Sequence, residues 1–165
     1  MTLSKIPLAG VIGAPIAHSK SPKLHRHWLD KAGVPGHYIP LHIEPSNLET
    51  TLKILPTMGF VGLNVTVPHK EEVMRHVDII TDRATLIGAA NTLIFRSDGK
   101  IKADNTDGFG FIKNLTTGAP DWIPQAGSAL VLGAGGAARA VIAALLEAGV
   151  PEIFLTNRTR ARAEN

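Results

Sequence analysis

Short apolar runs alternate with amphipathic stretches along this chain, and glycine or proline marks most of the boundaries. The runs at residues 8–12, 37–43 and 62–67 predict three strands, because short apolar or β-branched segments between turn residues are typical of buried sheet. The first run shows no alternation, which is typical of a strand covered on both faces in a mostly parallel sheet. Pro40 lies inside the second run and predicts an edge strand, since proline donates no ladder hydrogen bond.

Helical patterns separate these runs. Ser21-Pro22 predicts a helix start with Ser21 as the N-cap, and Gly33 predicts its end. The predicted buried stripe of this first helix consists of Leu24, Trp28 and Leu29. Further helices are predicted from about residue 46 to Pro56 with Leu48, Leu52 and Leu55 inward, at 68–76 and 81–87, from about 108, and from the glycine-rich segment at 133–138 to about 148.

The second half of the chain contains a hairpin, a linker and a βαβ pattern. Asp98-Gly99 separates the predicted strands at 90–95 and 101–103 and predicts a hairpin with a type I′ turn. Residues 116–128 contain prolines and glycines without a clear period, which predicts a linker. Two apolar strands, at 129–132 and 153–156, then flank the last long helix. The chain is therefore predicted to be an α/β protein.

Composition excludes several classes of function. The net charge of +3 is mild and no block of like charges occurs, so no nucleic-acid partner is expected. Cysteine is absent, which excludes a disulfide framework and a thiolate zinc site and agrees with a cytoplasmic location. No uninterrupted run of 18 apolar residues occurs, so no membrane span is expected. The seven histidines show no metal-ligand spacing, and no metal is expected.

The segment Asn64-Val65-Thr66-Val67-Pro68-His69-Lys70 is the first candidate for chemistry. Asn64 and Thr66 project from one face of a strand, because strand side chains repeat with a period of two. Pro68 is predicted to end the strand and open a helix, which puts Lys70 in the first turn. A cation there opposes the positive end of the helix dipole, which indicates a functional lysine. The alternative is a solvated lysine on a surface helix.

A second candidate lies at the start of the first predicted helix. The loop at 13–20 brings Ser19 and Ser21 to the helix N-terminus at the end of a strand. Free N–H groups and the helix dipole suit a carboxylate or a phosphate at that place. The alternative is that Ser21 serves only as a cap.

The third candidate is a dinucleotide site. Residues 133–138 read G-x-G-x-x-A between a strand and a helix, the context that this fingerprint requires. An acidic residue that would hold the ribose of NAD is missing after the second strand, where Arg158 and Arg162 stand instead. Positive charge suits a 2′-phosphate, so NADP is the predicted cofactor. The alternative is a merely exposed basic segment.

Taken together, these motifs resemble the shikimate dehydrogenase family over essentially the whole chain. The resemblance rests on Gly-Ala-Pro-Ile-Ala-His-Ser-Lys-Ser-Pro (13–22), Asn-Val-Thr-Val-Pro-His-Lys (64–70), Gly-Ala-Ala-Asn-Thr (88–92), Asp-Asn-Thr-Asp-Gly (104–108), Gly-Ala-Gly-Gly-Ala (133–137) and Asn-Arg-Thr (157–159) with Arg162. Ala90 departs from the family, in which valine is commoner at that position.

The resemblance implies reversible hydride transfer between NADPH and the C3 carbonyl of 3-dehydroshikimate. It assigns Ser19 and Ser21 to the substrate carboxylate, and Lys70 as general acid/base paired with Asp107. Asn64, Thr66 and Asn91 are assigned to the carboxylate end and the ring hydroxyls, although Asn91 and Asp107 taken singly are typical turn residues. The implied cofactor residues are Gly133, Ala134, Gly135, Gly136, Ala137, Asn157, Arg158, Thr159 and Arg162, with Asp82 beside the nicotinamide.

The resemblance also predicts the domain organisation. Residues 1–108 are expected to form an open, twisted, mostly parallel α/β substrate-binding domain, 109–126 a connecting helix and linker, and 127–165 part of a Rossmann-like NADP-binding domain. Because the family continues past this point, the chain is expected to be a truncated piece with little or no turnover by itself. The alternatives are a non-catalytic shikimate- or quinate-binding regulatory module and a quinate/shikimate dehydrogenase. Shikimate and 3-dehydroshikimate are the expected ligands, and a homodimer is the other expected association.

Overall fold

The computed structural model describes residues 6–164, and the strands in that range form two sheets. The strands are β1 (Leu8–Gly13), β2 (His37–His42), β3 (Phe60–Val65), β4 (Ile79–Ile80), β5 (Thr92–Phe95), β6 (Ile101–Asp104), β7 (Ala129–Leu132) and β8 (Ile153–Thr156). The α-helices are α1 (Ser21–Ala32), α2 (Leu48–Ile54), α3 (Asp82–Ile87), α4 (Asp107–Gly118), α5 (Gly136–Glu147) and α6 (Ala161–Glu164). Short 3₁₀ helices lie at Pro45–Asn47, Leu55–Met58, Glu72–His76 and Pro124–Ala126.

The larger sheet has the strand order β2-β1-β3-β5-β6-β4. Strand β1 is parallel to both β2 and β3, and β4 is parallel to β6, whereas β5 is antiparallel to its neighbours β3 and β6. The smaller sheet is the parallel pair β7–β8. The α/β class with a mostly parallel sheet is therefore confirmed, and β2, the strand that contains Pro40, lies at the predicted edge.

The main hydrophobic core lies between the larger sheet and the helices that follow β2 and β3. Leu48 and Leu52 are each only 1% exposed, and Leu55 is also buried, as their helical spacing predicts. They pack with apolar residues of the central strands, including Ile12, Leu63 and Leu93. Burial of several such side chains, each contributing about 1.5–3 kcal/mol, stabilises this half of the molecule.

The predicted buried stripe of α1 is wrong. Leu24 and Trp28 are 45% and 52% exposed, and Leu29 is only partly buried. The helix instead contacts the edge strand β2 through His25, whose ring stacks on Tyr38 with centroids 3.8 Å apart. An aromatic contact at the sheet edge has thus replaced the apolar face that the spacing predicts.

The segment after β3 is not the α-helix predicted for 68–76. Residues 67–71 form turns, followed by the 3₁₀ helix Glu72–His76. The side chain of His69 is buried, with its Nε2 2.7 Å from the carbonyl oxygen of Ile43. The carbonyl oxygen of Lys70 accepts a hydrogen bond from the N–H of Ala90 at 2.7 Å. These contacts tie the segment to its neighbours and divert a carbonyl that a regular helix would use internally.

The hairpin between β5 and β6 is present, but its turn is not type I′. Gly99 has φ +81°, whereas no non-glycine residue within 6–164 has positive φ, so Ser97 and Asp98 do not adopt the I′ conformation. The bond from the Gly99 N–H to the carbonyl of Arg96 closes a three-residue loop. The two-residue strand β4 is too short to show a periodic pattern, and no sequence signal predicted it.

Helices α4 and α5 connect the region of the larger sheet to that of the smaller one. They cross at Gly108, where a Cβ atom would lie 2.8 Å from the carbonyl oxygen of Ala140. Helix α4 continues to Gly118 and a 3₁₀ turn follows at Pro124–Ala126, so the predicted linker at 116–128 is partly regular structure. Within residues 6–164, no helix is long and apolar enough to cross a membrane.

Candidate active site

Lys70 and Asp107 form an ion pair at the end of the larger sheet where strands β3 and β6 terminate. The ammonium Nζ of Lys70 lies 2.5 Å from Oδ2 of Asp107, and the two side chains are 13% and 26% exposed. Lys70 follows the end of β3, and Asp107 is the first residue of α4, shortly after the end of β6. Because β5 runs antiparallel between these strands, its first residue lies at the same end of the sheet. Three segments distant in sequence therefore meet there.

Asn91, just before β5, orients the carboxylate of Asp107. Its Nδ2 donates to Oδ1 of Asp107 at 2.8 Å and to Oγ1 of Thr106 at 3.0 Å. Its Oδ1 accepts from the Thr106 N–H at 3.0 Å and from the Thr92 hydroxyl at 2.8 Å. Both oxygens of Asp107 consequently accept hydrogen bonds, one from Lys70 and one from Asn91, and the carboxylate has a defined direction.

Asn105 supports this arrangement from the interior and was not predicted. Its side chain is fully buried, donates to the carbonyl of Ala89 at 2.8 Å and accepts from the Asp107 N–H at 3.0 Å. Its neighbour Asp104 accepts hydrogen bonds from Arg83 and Thr81. A polar residue inside Asp-Asn-Thr-Asp was the available signal, but it is also a common signature of an ordinary turn.

Asn64 and Thr66 lie beside this pair at the end of β3. Asn64 Oδ1 accepts from the Tyr38 hydroxyl at 2.7 Å, and its Nδ2 lies 3.3 Å from the carbonyl oxygen of Asn91. Thr66 is pinned to β1, since its N–H donates to the carbonyl of Ile12 at 2.9 Å. A Cβ atom at Gly13 would lie 2.6 Å from the Thr66 methyl group, so glycine at that position makes room for the threonine.

Ser19 and Ser21 lie at the start of α1, as predicted, but neither is the N-cap residue. The Ser21 N–H donates to Oγ of Ser19 at 3.3 Å, and Ser21 is the first helical residue with Lys20 at the N-cap position. The prediction that Ser21 is the N-cap is therefore wrong, because the hydroxyl of Ser19 in the preceding loop reaches the free N–H first. Burial raises the pKa of Tyr38 to about 12, and the polar side chain of Ser21 opposes that rise.

The glycine-rich segment approaches Lys70 directly. A Cβ atom at Gly136 would lie 3.0 Å from the Cβ of Lys70 and 3.1 Å from that of Ala89. Gly133 has φ +109° and Gly135 is the N-cap of α5, whose first turn receives no side-chain cap. Ala134 is buried, whereas Ala137 is exposed. The free N–H groups at this helix start suit a phosphate.

Two guanidinium groups are available beyond β8. Arg158 and Arg162 are exposed, and neither has an ion-pair partner within residues 6–164. Asn157 donates to the carbonyl of Thr159 at 2.7 Å, and the Arg162 N–H donates to the same carbonyl at 3.1 Å. These bonds shape the turn that carries both arginines. A strand end with unpaired cations and an uncapped helix start nearby in the same βαβ unit fit a dinucleotide phosphate.

Two further predictions concern the position of Asp82 and the presence of metal ligands. Asp82 is exposed at the first residue of α3, and no hydrogen bond or ion pair in the described part of the chain links it to the other candidates. Among residues 6–164, no group of three or more His, Cys, Asp or Glu could hold a metal ion.

The comparison with protein families matches the part of the chain that contains most of the candidate substrate residues. Residues 11–93, just over half of the chain, match the family described as "Shikimate dehydrogenase substrate binding domain". The chain belongs to the shikimate dehydrogenase family. The matched range contains both serines, Asn64, Thr66, Lys70 and Asn91, whereas Asp107 and the glycine-rich segment lie outside it.

Relatives extend the similarity to nearly the full chain. A "Shikimate dehydrogenase (NADP(+))" of Ruegeria sp. (strain TM1040) is 67% identical over 164 residues, which cover 99% of this chain and 59% of the relative. The crystal structure of shikimate dehydrogenase from Aquifex aeolicus is 41% identical with a TM-score of 0.90, covering 99% of this chain and 60% of that one. The enzyme from Thermus thermophilus in complex with NADP(H) and shikimate is 40% identical with a TM-score of 0.86, covering 96% and 58%. The chain thus spans about three fifths of the relatives it matches, and the family resemblance predicted from the motifs is confirmed.

Proposed function

We propose that this chain carries the substrate domain and the first part of the cofactor domain of an NADP-dependent shikimate dehydrogenase. The observation that carries the proposal is the ion pair of Lys70 and Asp107, with Nζ 2.5 Å from Oδ2, in contact with Gly136 at the start of the glycine-rich helix. A proton-transferring group is thereby held next to the proposed cofactor loop. The proposed domains are residues 1–108 and 127–165, joined by 109–126.

The proposed reaction interconverts 3-dehydroshikimate and shikimate. In the direction of reduction, NADPH held by the proposed cofactor residues would supply the hydride to the C3 carbon. Lys70 delivers a proton from Nζ to the C3 oxygen, so the carbonyl becomes a hydroxyl; in oxidation the lysine takes that proton back. Asp107 accepts hydrogen bonds from Lys70 and from Asn91, which supports an orienting role for its carboxylate beside the reacting oxygen.

The remaining candidates have roles that suit their positions. Ser19 and Ser21, at the start of α1, are proposed to bind the substrate carboxylate. Asn64, Thr66 and Asn91 are proposed to contact the carboxylate end and the ring hydroxyls. In the present geometry both amide hydrogens of Asn91 already have acceptors, so a ring hydroxyl would have to share or replace one of them.

For the cofactor, this chain offers residues that fit phosphate groups. Residues 133–137, which include the uncapped start of α5, are proposed to hold the pyrophosphate. The turn of Asn157 and Thr159 presents Arg158 and Arg162, which are proposed to hold the 2′-phosphate. Asp82 is retained as a proposed neighbour of the nicotinamide on the family resemblance alone.

The experiment uses the complete protein from which this chain comes. Shikimate and NADP are added, and NADPH formation is followed at 340 nm for the wild type and for Lys70→Ala. We expect the variant to lose about 10²- to 10⁴-fold in kcat, the range typical of general acid/base catalysis. Lys53→Ala is the matched control, since that lysine is exposed and pairs with Glu49 on α2. Absence of turnover in a folded wild-type protein would reject the proposed dehydrogenase activity.

Two further candidates are tested in the same assay. A regulatory module would bind shikimate without reducing NADP. A quinate/shikimate dehydrogenase would give comparable kcat/KM values for both compounds. Both hydroxyls, at Ser21 and Thr66, are present, which on the family resemblance favours shikimate, so quinate is proposed as a side substrate at most. We propose the cytoplasm as the location and a homodimer as the assembly. The 165-residue chain alone is expected to bind shikimate weakly and to show little turnover.

A further inference from the structure

Tyr38 reaches across the larger sheet to a substrate-site residue. It belongs to the edge strand β2, and its hydroxyl donates to Oδ1 of Asn64 on β3 at 2.7 Å, although β1 lies between these strands. Tyr38 pairs with Ala9 of β1, whereas Asn64 pairs with Val11. Residues 9 and 11 point to the same face of a strand, so Tyr38 and Asn64 share that face. The small side chain of Ala9 leaves the tyrosine ring room to span the strand.

The ring of Tyr38 is fixed from its other side. His25 stacks on it with an interplanar angle of 7°, and Nδ1 of His25 lies 2.9 Å from the carbonyl oxygen of Ser21. Tyr38 thereby connects the start of α1, which holds the two candidate serines, to the end of β3. Because burial raises the pKa of Tyr38 to about 12, its hydroxyl keeps its proton throughout the neutral range.

The groups on both sides of the Asn64 amide decide which way it points. In the flipped amide Oδ1 would face the carbonyl oxygen of Asn91, which cannot donate, whereas in the observed orientation Oδ1 accepts from the Tyr38 hydroxyl. The Nδ2 group is then directed away from Tyr38, towards the carbonyl oxygen of Asn91 at 3.3 Å and Oγ1 of Thr92 at 3.4 Å. Both distances are longer than the usual 2.9–3.0 Å for such bonds. The Nδ2 group therefore has only long bonds to these acceptors, and a ligand oxygen can share or replace one of them.

We propose that Tyr38 is a positioning residue of the substrate site, which holds the Asn64 amide in the orientation that leaves its weakly bonded Nδ2 group available to the substrate. The inference deepens the proposed function and rests on it. Replacing Tyr38 by phenylalanine removes the hydroxyl and keeps the ring stacked on His25. We expect KM for shikimate to rise about three- to tenfold, the effect of losing one neutral hydrogen bond. We expect kcat to stay within about twofold, because Lys70 and Asp107 keep their own contacts.

The test is a double-mutant cycle in the complete protein, with kcat and KM for shikimate measured at 340 nm. The four proteins are the wild type, Tyr38→Phe, Asn64→Ala and the double variant. If Tyr38 acts through Asn64, Tyr38→Phe raises KM in the wild-type background and has no further effect in the Asn64→Ala background. Trp28→Phe is the matched control, since Trp28 contacts His25 edge-on and is half exposed; its KM is expected to be unchanged.

A second variant keeps the test decisive if Tyr38→Phe is unstable. Asn64→Asp retains an acceptor for the Tyr38 hydroxyl but lacks the Nδ2 donors, so we expect it to raise KM at least as much as Asn64→Ala. A wild-type KM for Asn64→Asp, an unchanged KM for Tyr38→Phe, or an equal effect of Tyr38→Phe in both backgrounds would overturn the role of Tyr38. A wild-type protein that does not reduce NADP with shikimate would instead overturn the proposed function.

Discussion

Gly136 and Lys70 are in such close contact that a Cβ atom at position 136 would lie only 3.0 Å from the Cβ of Lys70. The same atom would lie 3.1 Å from the Cβ of Ala89. Both distances are tighter than ordinary van der Waals contact, so glycine lets the start of α5 approach the turn that carries the lysine without displacing either segment. The proposed cofactor loop and the proposed acid/base residue thus touch each other at this contact.

This contact predicts the effect of Gly136→Ala. The added methyl group would displace α5 or Lys70 by a few tenths of an ångström, and small misplacements of reacting groups are costly. We expect kcat of the complete protein to fall about tenfold, measured as NADPH formation with saturating shikimate. Gly118→Ala is the control, because nothing lies within 4 Å of a Cβ atom there. Full activity of Gly136→Ala would show that the contact is not needed.

Two glycines in α4 predict stability changes of opposite sign. A Cβ atom at Gly108 would lie 2.8 Å from the carbonyl oxygen of Ala140, whereas one at Gly110 would meet nothing within 4 Å. Gly108→Ala is expected to lower the free energy of unfolding by about 1–3 kcal/mol through overpacking. Gly110→Ala is expected to raise it by about 0.5–1 kcal/mol, because alanine favours helix over glycine. Urea denaturation measures both, and equal signs would contradict the α4–α5 packing.

The exposed arginines Arg158 and Arg162 predict cofactor selectivity. Arg158→Ala and Arg162→Ala are each expected to raise the Kd for NADP about tenfold in the complete protein, because each removes a charge-assisted hydrogen bond. The Kd for NAD, which lacks the 2′-phosphate, is expected to change little. Arg160→Ala is the control, since Arg160 already pairs with Glu164 at 2.7 Å. Calorimetric titration gives all the constants, and equal losses for NADP and NAD would contradict a 2′-phosphate contact.

Asp104 predicts a pH-dependent contribution to stability. Burial alone would raise the pKa of Asp104, but hydrogen bonds from Arg83, Thr81 and the Asn105 N–H outweigh it and lower the pKa below its usual value. A lowered folded-state pKa gives stability that is present above about pH 4, the ordinary value for aspartate, and is lost as the pH falls through the folded-state pKa.

Asp104→Asn tests this contribution. At pH 7 we expect the free energy of unfolding to fall by about 1 kcal/mol, a modest value because Arg83 is half exposed. The difference from the wild type should narrow below about pH 4, as measured by denaturation at several pH values. Asp98→Asn is the control, since the Asp98–Arg96 pair lies on the surface, and its effect should be smaller. A difference that stays constant from pH 7 to pH 3 would contradict the interpretation.

Local signals predicted the elements whose cause is local. Pro40 predicted an edge strand, and Gly33, Gly59 and Gly88 follow helices with positive φ values of 64°, 92° and 71°. The candidate residues were found because their motifs place polar side chains at strand ends, where a sheet brings them together. Lys70 and Asp107 meet in this way, although 37 residues separate them.

Tertiary contacts decided the features that the sequence did not predict. The segment around Lys70 is a turn because His69 is buried against Ile43, which no periodicity at 68–76 indicates. Trp28 is exposed because α1 contacts the sheet edge through His25. The sequence predicted no role for Tyr38, because its hydrogen-bond partner Asn64 is 26 positions away along the chain and lies across an intervening strand. Each of these outcomes depends on a partner that is distant along the chain.

The backbone of Asn91 has a consequence for how the site is lost. Its carbonyl oxygen accepts from the Val65 N–H at 2.8 Å, and its N–H donates to the carbonyl of Asp104 at 3.0 Å, so it joins the ends of β3 and β6. Local opening of a surface loop cannot release a residue that is held by two strands of the main sheet. The amide protons of Val65 and Asn91 should therefore exchange with solvent deuterium as slowly as those of the central strands, through unfolding of the whole sheet.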